Sequence, residues 1–432
     1  MLGRRRLIVA SVVIGLVAAG WSIKVLVGRY AAAADKAALE EQFRLARAEG
    51  LPTNAREFFA TIAPVDPAEN AAPYYLTVRT TSSPPVDFLT LEAKLNLKPS
   101  PKGLADAQSA LDEYSTALRG ADKALALPRC RFIRQSSLVF LEEYKGYQSM
   151  EFLADLIGLR GSLLFAKGDA EGAIRNAQMM LRVSRQAADE GTPTPIAVSQ
   201  NIYGRVVRHL ALWSFVDRAH KVYAEALAQA VKEWPKIDVR SMRRGDLAAM
   251  MQAMALIETP EGRRELGVKE ADLSNWEVFA PFLYSRPKAK VAAAKAEREL
   301  WEAYSLPPSA RPAKIDATVD TLDMAMRAYP SLEPLEGSNG RGMEDAYWDA
   351  KRIAYQTMSR ALAGPSIPTS VATSDLVSPF DGSPATYLYD GRQIRITVKT
   401  STYYPIDVQI PSSSALSILA PPRRITAPVG SD

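Results

Sequence analysis

Apolar residues recur three and four positions apart over most of the chain, the period of an amphipathic helix. The clearest run is Leu104, Ala107, Leu111, Tyr114, Leu118, Ala121 and Leu125. Ser100-Pro101 opens it and Pro128 closes it, which predicts one helix of about six turns with a narrow apolar seam. The expected partner of that seam is a neighbouring helix of the same chain; a coiled-coil partner is the alternative. Leu153, Leu156, Leu159, Leu163 and Leu164 predict a helix over Tyr147–Ala166. Lys167-Gly168-Asp169 then reads as a turn, and Ala170–Ala188 as a returning helix. Further helices are predicted at Ala31–Glu49, Ile196–Val216, Ala219–Trp234, Met242–Ile257, Lys288–Tyr304, Ala310–Tyr329 and Met343–Leu362. Asp66-Pro67-Ala68-Glu69 is a helix start, with a capping acid, a first-turn proline and an acid behind it.

The pattern changes after Gly364. Tyr387-Leu388-Tyr389 and Ile394–Val398 flank Asp390-Gly391, which predicts a hairpin closed by a type I′ turn. A lone hairpin is marginal in water, so docking on the helices or pairing with Ile406–Ile410 is expected. From Pro411 to Asp432 the chain is rich in proline and serine, has little to bury, and is expected to be disordered.

At the other end, Leu7–Ile23 carries no charge and follows Arg4, Arg5 and Arg6. Extended to Val27, the run spans roughly 31 Å as a helix, close to the ~30 Å hydrocarbon core of a bilayer. Trp21 falls at the expected interface, and Lys24 can extend its ammonium to the headgroups. The arginines favour a cytoplasmic N-terminus, so the expected product is a single-pass inner-membrane protein with an exported body. A cleaved signal peptide, with Ala32–Ala34 as its cleavage site, is the competing reading. The expected organisation is an anchor over 1–30, a helical body over 31–336, a helix plus β-hairpin unit over 343–410 and a tail over 411–432.

The 147–188 hairpin resembles a tetratricopeptide repeat. Gly161, Gly168, Asp169, Ala173 and Leu181 fall at the spacings of that family's small and apolar positions, which let antiparallel helices approach closely. Arg160, Ala177 and Met180 depart from the pattern, and no strict period continues along the chain. The resulting fold class is mainly α: an N-terminal transmembrane helix, α-solenoid or TPR-like hairpins, and a small C-terminal β-hairpin unit. A second resemblance rests on several short segments, taken in order. They are Gly50-Leu51-Pro52-Thr53, Glu69-Asn70-Ala71-Ala72-Pro73-Tyr74-Tyr75-Leu76, Ala126-Leu127-Pro128-Arg129-Cys130-Arg131-Phe132 and Ser378-Pro379-Phe380-Asp381-Gly382-Ser383-Pro384. Behind an N-terminal anchor, that order is similar to a group of uncharacterised bacterial envelope proteins of planctomycete-like genomes, which implies no known activity. The last segment also resembles the C-terminal part of pseudopilins, although the pseudopilin processing site is absent. Phe380 reads as an apolar plug and Asp381-Gly382 as a turn.

Composition changes little. Hydrophobic residues make up 47% and charged residues 23%, ordinary for a globular protein. Much of the net charge of +5 sits beside the apolar run, and no basic stripe with interleaved aromatics points to nucleic acid. Cys130 is the sole cysteine, so an intramolecular disulfide is excluded.

The candidate chemistry is thin. His209 and His220 are the two histidines, and neither has ligand spacing around it. Ser285-Arg286-Pro287-Lys288 has the S-x-x-K spacing of penicillin-recognising enzymes, and Lys399-Thr400-Ser401 faintly resembles their K-T-G strand. The third signature and the large sheet of that fold are missing. Gly337–Gly342 lacks the strand and the Lys-Ser/Thr pair of a phosphate loop and reads as a joint. Met242, Met250, Met251 and Met254 form either core or an adaptable binding face. Glu142-Glu143 and Glu344-Asp345 read as solvated acids without partners.

The expected function is a binding or scaffold role in the envelope with a protein partner, no cofactor and no metal. An envelope hydrolase with a dispersed site and an accessory of a secretion or pilus machine are the alternatives.

Overall fold

A computed structural model describes residues 30–31, 33–78, 88–132, 143–266, 285–329, 343–400 and 405–411. The anchor residues Arg4, Arg5, Arg6, Trp21 and Lys24, the joint Gly337–Gly342 and the tail lie outside them. Among the described residues, no helix is long and apolar enough to cross a membrane. The described chain is mainly helical, with one small antiparallel sheet. It divides into two compact units, one of residues 1–58, 244–303 and 313–339, the other of 59–243, 304–312 and 340–432.

The first unit begins with helix α1, residues 33–48. Gly50 ends it at φ +82°, a conformation that suits glycine, and Leu51 N–H returns to Ala46 O at 2.8 Å. Helix α2 (Ala55–Ala60) is held from Glu57, which accepts from Thr53 N–H at 2.8 Å and pairs with Arg47 at 3.0 Å.

The second unit opens with the short α3 (Ala72–Leu76) and α4 (Phe88–Leu97). The long seam helix predicted from Ser100 is two helices, α5 (Pro101–Glu113) and α6 (Ser115–Leu125). The break falls at Tyr114, whose ring packs edge-on against Phe152 at 5.2 Å and Phe88 at 6.1 Å. Ser115-Thr116 behind it favour a helix start over a helix interior. The seam packs inside the chain, against α3 and against the hairpin helices α7 (Glu143–Ala166) and α8 (Ala170–Ala187). Helix α9 (Pro193–Val216) folds back on α8, and α10 (Lys221–Lys232) on α9. The core lies along α7, where Leu153, Leu156, Ile157 and Leu159 are fully buried.

The predicted helix Met242–Ile257 is also interrupted. Residues Val239–Arg243 form α11, and after Arg244-Gly245 the first unit resumes with α12 (Asp246–Ile257). All four methionines are buried, which assigns them to core and removes the adaptable-surface reading. Helix α13 (Pro260–Glu265) follows, then α14 (Arg286–Ala303), which packs on α12 and ties Lys290 to Glu258 at 3.0 Å. Helix α15 (Arg311–Met326) completes this stretch.

The second unit closes with α16 (Glu344–Leu362), which packs on α9, α10 and the sheet. Strands β1 (Thr386–Tyr389), β2 (Ile394–Val398) and β3 (Ile406–Ile410) form an antiparallel meander in that order. Ile394, Ile396, Val398, Ile406, Val408 and Ile410 are buried, and β2 and β3 pack on α16. The β1–β2 turn differs from the expected type I′ form. Tyr389 pairs with Ile394, which leaves a four-residue loop, and Asp390 has a negative φ. The Asp390 carboxylate closes that loop by accepting from Arg392 and Gln393 N–H, each at 2.8 Å. These backbone donors and the nearby Arg392 hold its pKa below the ordinary aspartate value.

Candidate functional site

Two of the motif segments singled out in the sequence meet in space. Segment 69–75 and segment 126–132 run side by side through a short parallel bridge between Asn70 and Arg129. Ala71 N–H donates to Arg129 O at 2.8 Å, and Arg129 N–H to Glu69 O at 3.3 Å. The Asn70 amide completes the join, donating to Arg131 O at 3.0 Å and accepting from Arg131 N–H at 2.8 Å. Neither segment has enough regular structure to satisfy its own backbone, so each uses the other.

The end of α8 and the 3-10 turn after it clamp this join. Asp189 accepts from Arg129 Nε at 2.9 Å and from Cys130 N–H at 3.1 Å. Glu190, 5% exposed, accepts from Phe132 N–H and from the Tyr147 hydroxyl. Gln186 accepts from the Tyr75 hydroxyl and donates to Leu127 O at 2.7 Å. Burial, reinforced by the charges of Glu190 and Asp189, pushes the Cys130 thiol well above its ordinary range. Cys130 is therefore a packing residue rather than a nucleophile.

Beside the join lies a cavity of about 130 Å³. Phe59, Ile62, Pro64 and Val65 form its apolar wall, and Asn70, Arg131 and Glu190 its polar side. Arg131 spans the rim, donating to Ala63 O and, at 3.4 Å, to Asp189 O, while its buried Nε has no partner among the described residues. The space is the size of a single side chain or a small ligand fragment. Its chemistry suits an apolar group with one polar terminus.

A second polar constellation sits in the core. Glu92 and Asn96 on α4, Gly158 and Ser162 on α7, and His209 and Trp213 on α9 are each four residues apart, so the three helices contribute two stacked layers. In one layer, His209 Nε2 is 3.6 Å from Glu92 Oε2, and a Cβ on Gly158 would lie 3.0 Å from each side chain. In the other, Trp213 Nε1 donates to Asn96 Oδ1 at 3.0 Å and Asn96 Nδ2 to Ser162 Oγ at 3.1 Å. Burial, then the charges of Arg208 and Arg205, lower the His209 pKa to about 3, so the imidazole is neutral. His209 is closed off from any substrate and acts as core. The other histidine, His220, is exposed and bonds Asp217 through Nδ1 at 2.7 Å.

The remaining sequence candidates fall as follows. Gly168 makes the α7–α8 turn at φ +79°, and Asp169 caps α8 by accepting from Gly172 N–H at 2.8 Å. A Cβ on Gly161 would come within 3.1 Å of the Trp213 ring and 3.3 Å of Asn176, so the glycine lets α8 and α9 approach α7 closely. Ala173 is fully buried and Leu181 half-buried. Ser285 stands exposed just before α14, off the helix, and belongs to a different unit from Lys399 and Thr400. Phe380 is buried, and Gly382 turns at φ +70° behind it.

Glu344 and Asp345 are not free solvated acids. Glu344 pairs with Arg243, and Asp345 pairs with Arg311 at 2.6 Å. The pair Glu142-Glu143 has no described side chains. Among the described residues, no group of His, Cys, Asp and Glu is placed to hold a metal ion.

Comparison with known proteins returns nothing similar: no family model, no curated protein and no solved structure matches the chain. What the fold and site define is a mainly helical protein with a small lined cavity at a junction of two loop segments.

Proposed function

We propose that this chain is a membrane-anchored envelope protein with a binding or scaffold role, and that the junction cavity is its point of recognition. The cavity carries the reading. An apolar wall facing Asn70, Arg131 and Glu190 is suited to one anchoring side chain of a protein partner. The successive antiparallel helices from α7 to α10 support the scaffold part, since TPR-like pairs present extended surfaces on a rigid frame. The uncharged run Leu7–Ile23 behind Arg4, Arg5 and Arg6 supports the anchor, with the N-terminus cytoplasmic and the body exported. Kinship with the planctomycete-like envelope proteins belongs to the same reading and rests on the order of the anchor, the segments 50–53, 69–76, 126–132 and 378–384, and the leucine-rich hairpin between the last two.

The test is site-specific photo-crosslinking in cells, with a benzophenone residue at Val65 and, as the control, at Leu388 on the exposed side of β1. A discrete adduct from Val65 but not Leu388, weakened several-fold by the cavity-filling Ile62→Trp and found in carbonate-resistant membranes, is expected. Identical adducts from both positions, or complete release of the protein by carbonate, would overturn the proposal.

A further inference from the structure

All the residues that line the junction cavity belong to the second unit, so its walls are set within one compact body. The apolar wall is the stretch from Phe59 to Val65, and Arg131 ties it to the junction by donating to Ala63 O. Pro64 is exposed and Ile62 and Val65 are half-buried, so this wall reaches the surface and an outside group can enter along it. The space is about 130 Å³. An apolar cavity of about 150 Å³ holds a benzene ring. The scale is that of one six-membered ring, seated on the apolar wall with its far end at the polar side.

The polar side carries both signs of charge. Arg131 has given N–H bonds to two carbonyls, Ala63 O and Asp189 O, from a guanidinium that holds five donors. Glu190 accepts from Phe132 N–H on one oxygen and from the Tyr147 hydroxyl on the other, and a carboxylate has about four acceptor positions. A carboxylate brought into this small space would face Glu190, and an ammonium would face Arg131; like charges placed together oppose binding. A purely apolar side chain would cover the wall and desolvate the polar side without answering it. An indole is larger than a single ring and its nitrogen only donates. A phenol is neutral at pH 7, both donates and accepts, and carries its oxygen at the far end of one ring.

We propose, resting on the recognition role above, that the cavity is a socket for a tyrosine side chain of the protein partner, its ring on Phe59 and Ile62 and its hydroxyl between Arg131 and Glu190. Tyrosine buries a large ring and still satisfies a polar group, which is why it is enriched among the anchors of protein interfaces.

The test is a fluorine NMR titration of the full-length protein in detergent, with 4-fluorophenylalanine placed at Phe59 as the reporter. The probes are N-acetyltyrosinamide, N-acetylphenylalaninamide, N-acetylleucinamide and free leucine. A saturable shift with the tyrosine amide, at a Kd about threefold to tenfold below that of either other amide, is expected. Ile62→Trp is expected to abolish it, and the comparison of probes on the unaltered cavity carries the test if that variant fails to fold. Equal or tighter binding of the phenylalanine or leucine amide would show a purely apolar socket and overturn the proposal. Tighter binding of free leucine would show a site for a zwitterion, and no shift with any probe up to its solubility limit would show no such socket; each overturns it as well. The recognition role is judged apart, by the Val65 crosslink: a discrete adduct there alongside any of these failures leaves the role standing and removes only the tyrosine.

Discussion

Two polar clusters of the second unit have similar ingredients and opposite consequences. The core layers join Glu92, Asn96, Ser162, His209 and Trp213 across three helices, and the side chains close on one another. The junction joins Asn70, Arg129, Arg131, Asp189 and Glu190 across loops, and it borders a cavity. Helices that pack at regular spacing leave no room between polar side chains. Loops held by each other's backbone groups do not fill space so completely, and a pocket remains. A buried histidine beside a carboxylate is therefore less informative about function here than a modest gap lined by an arginine.

The largest effect that separates the clusters is expected at Trp213. Trp213→Ala removes a fully buried ring and leaves Asn96 Oδ1 without its donor. A loss of about 3–5 kcal/mol is expected by denaturant unfolding, with the junction affected only through global stability. Next comes Glu190→Ala, which strands Phe132 N–H and the Tyr147 hydroxyl in a buried place. A loss of about 2–3 kcal/mol is expected, together with a changed cavity, read by unfolding and by the Val65 crosslink. Equal crosslinking in this variant would separate the cavity from the clamp and break the comparison.

A smaller and pH-dependent effect belongs to His209. Its folded pKa of about 3 lies below the unfolded value near 6.5. Between those values the unfolded chain binds the extra proton, so stability is complete above about pH 6.5 and falls as pH drops toward 3. His209→Gln is expected to flatten that part of the profile by roughly a few kcal/mol, measured by urea unfolding across the window. A profile unchanged by the substitution would show that the imidazole is not held neutral. The smallest effect is expected at Asp390→Ala, which frees two backbone donors on an exposed loop and lowers the thermal unfolding midpoint only slightly.

The regular parts of the fold were legible because local chemistry determines them. Gly168 and Asp169 mark the α7–α8 turn, and Gly364 falls just past the end of α16 as its type suggests. The three strands follow from alternation in Ile394–Val398 and Ile406–Ile410. The break at Tyr114 was hidden because the apolar seam runs unbroken past the weak helix-start signal of Ser115-Thr116, and the packing of Tyr114 against Phe88 and Phe152 is tertiary. Helix α4 shows no clear period in the sequence because Glu92 and Asn96 interrupt its apolar residues, and their role appears only when α7 and α9 stand opposite. The pairing of Glu344 with Arg243 and of Asp345 with Arg311 was hidden by separations of 101 and 34 residues.

Taken alone, the sequence determined the helical class, most element boundaries, the meander and the apolar N-terminal run, since period, caps and breakers act within a few residues. It also marked the junction segments as unusual without saying why. Only the tertiary structure decided that these segments touch, that Asp189 and Glu190 clamp them, and that a cavity opens beside Arg131. Those are contacts between residues far apart in the chain. Their geometry follows from how whole helices pack, and helix packing depends on every side chain between them at once.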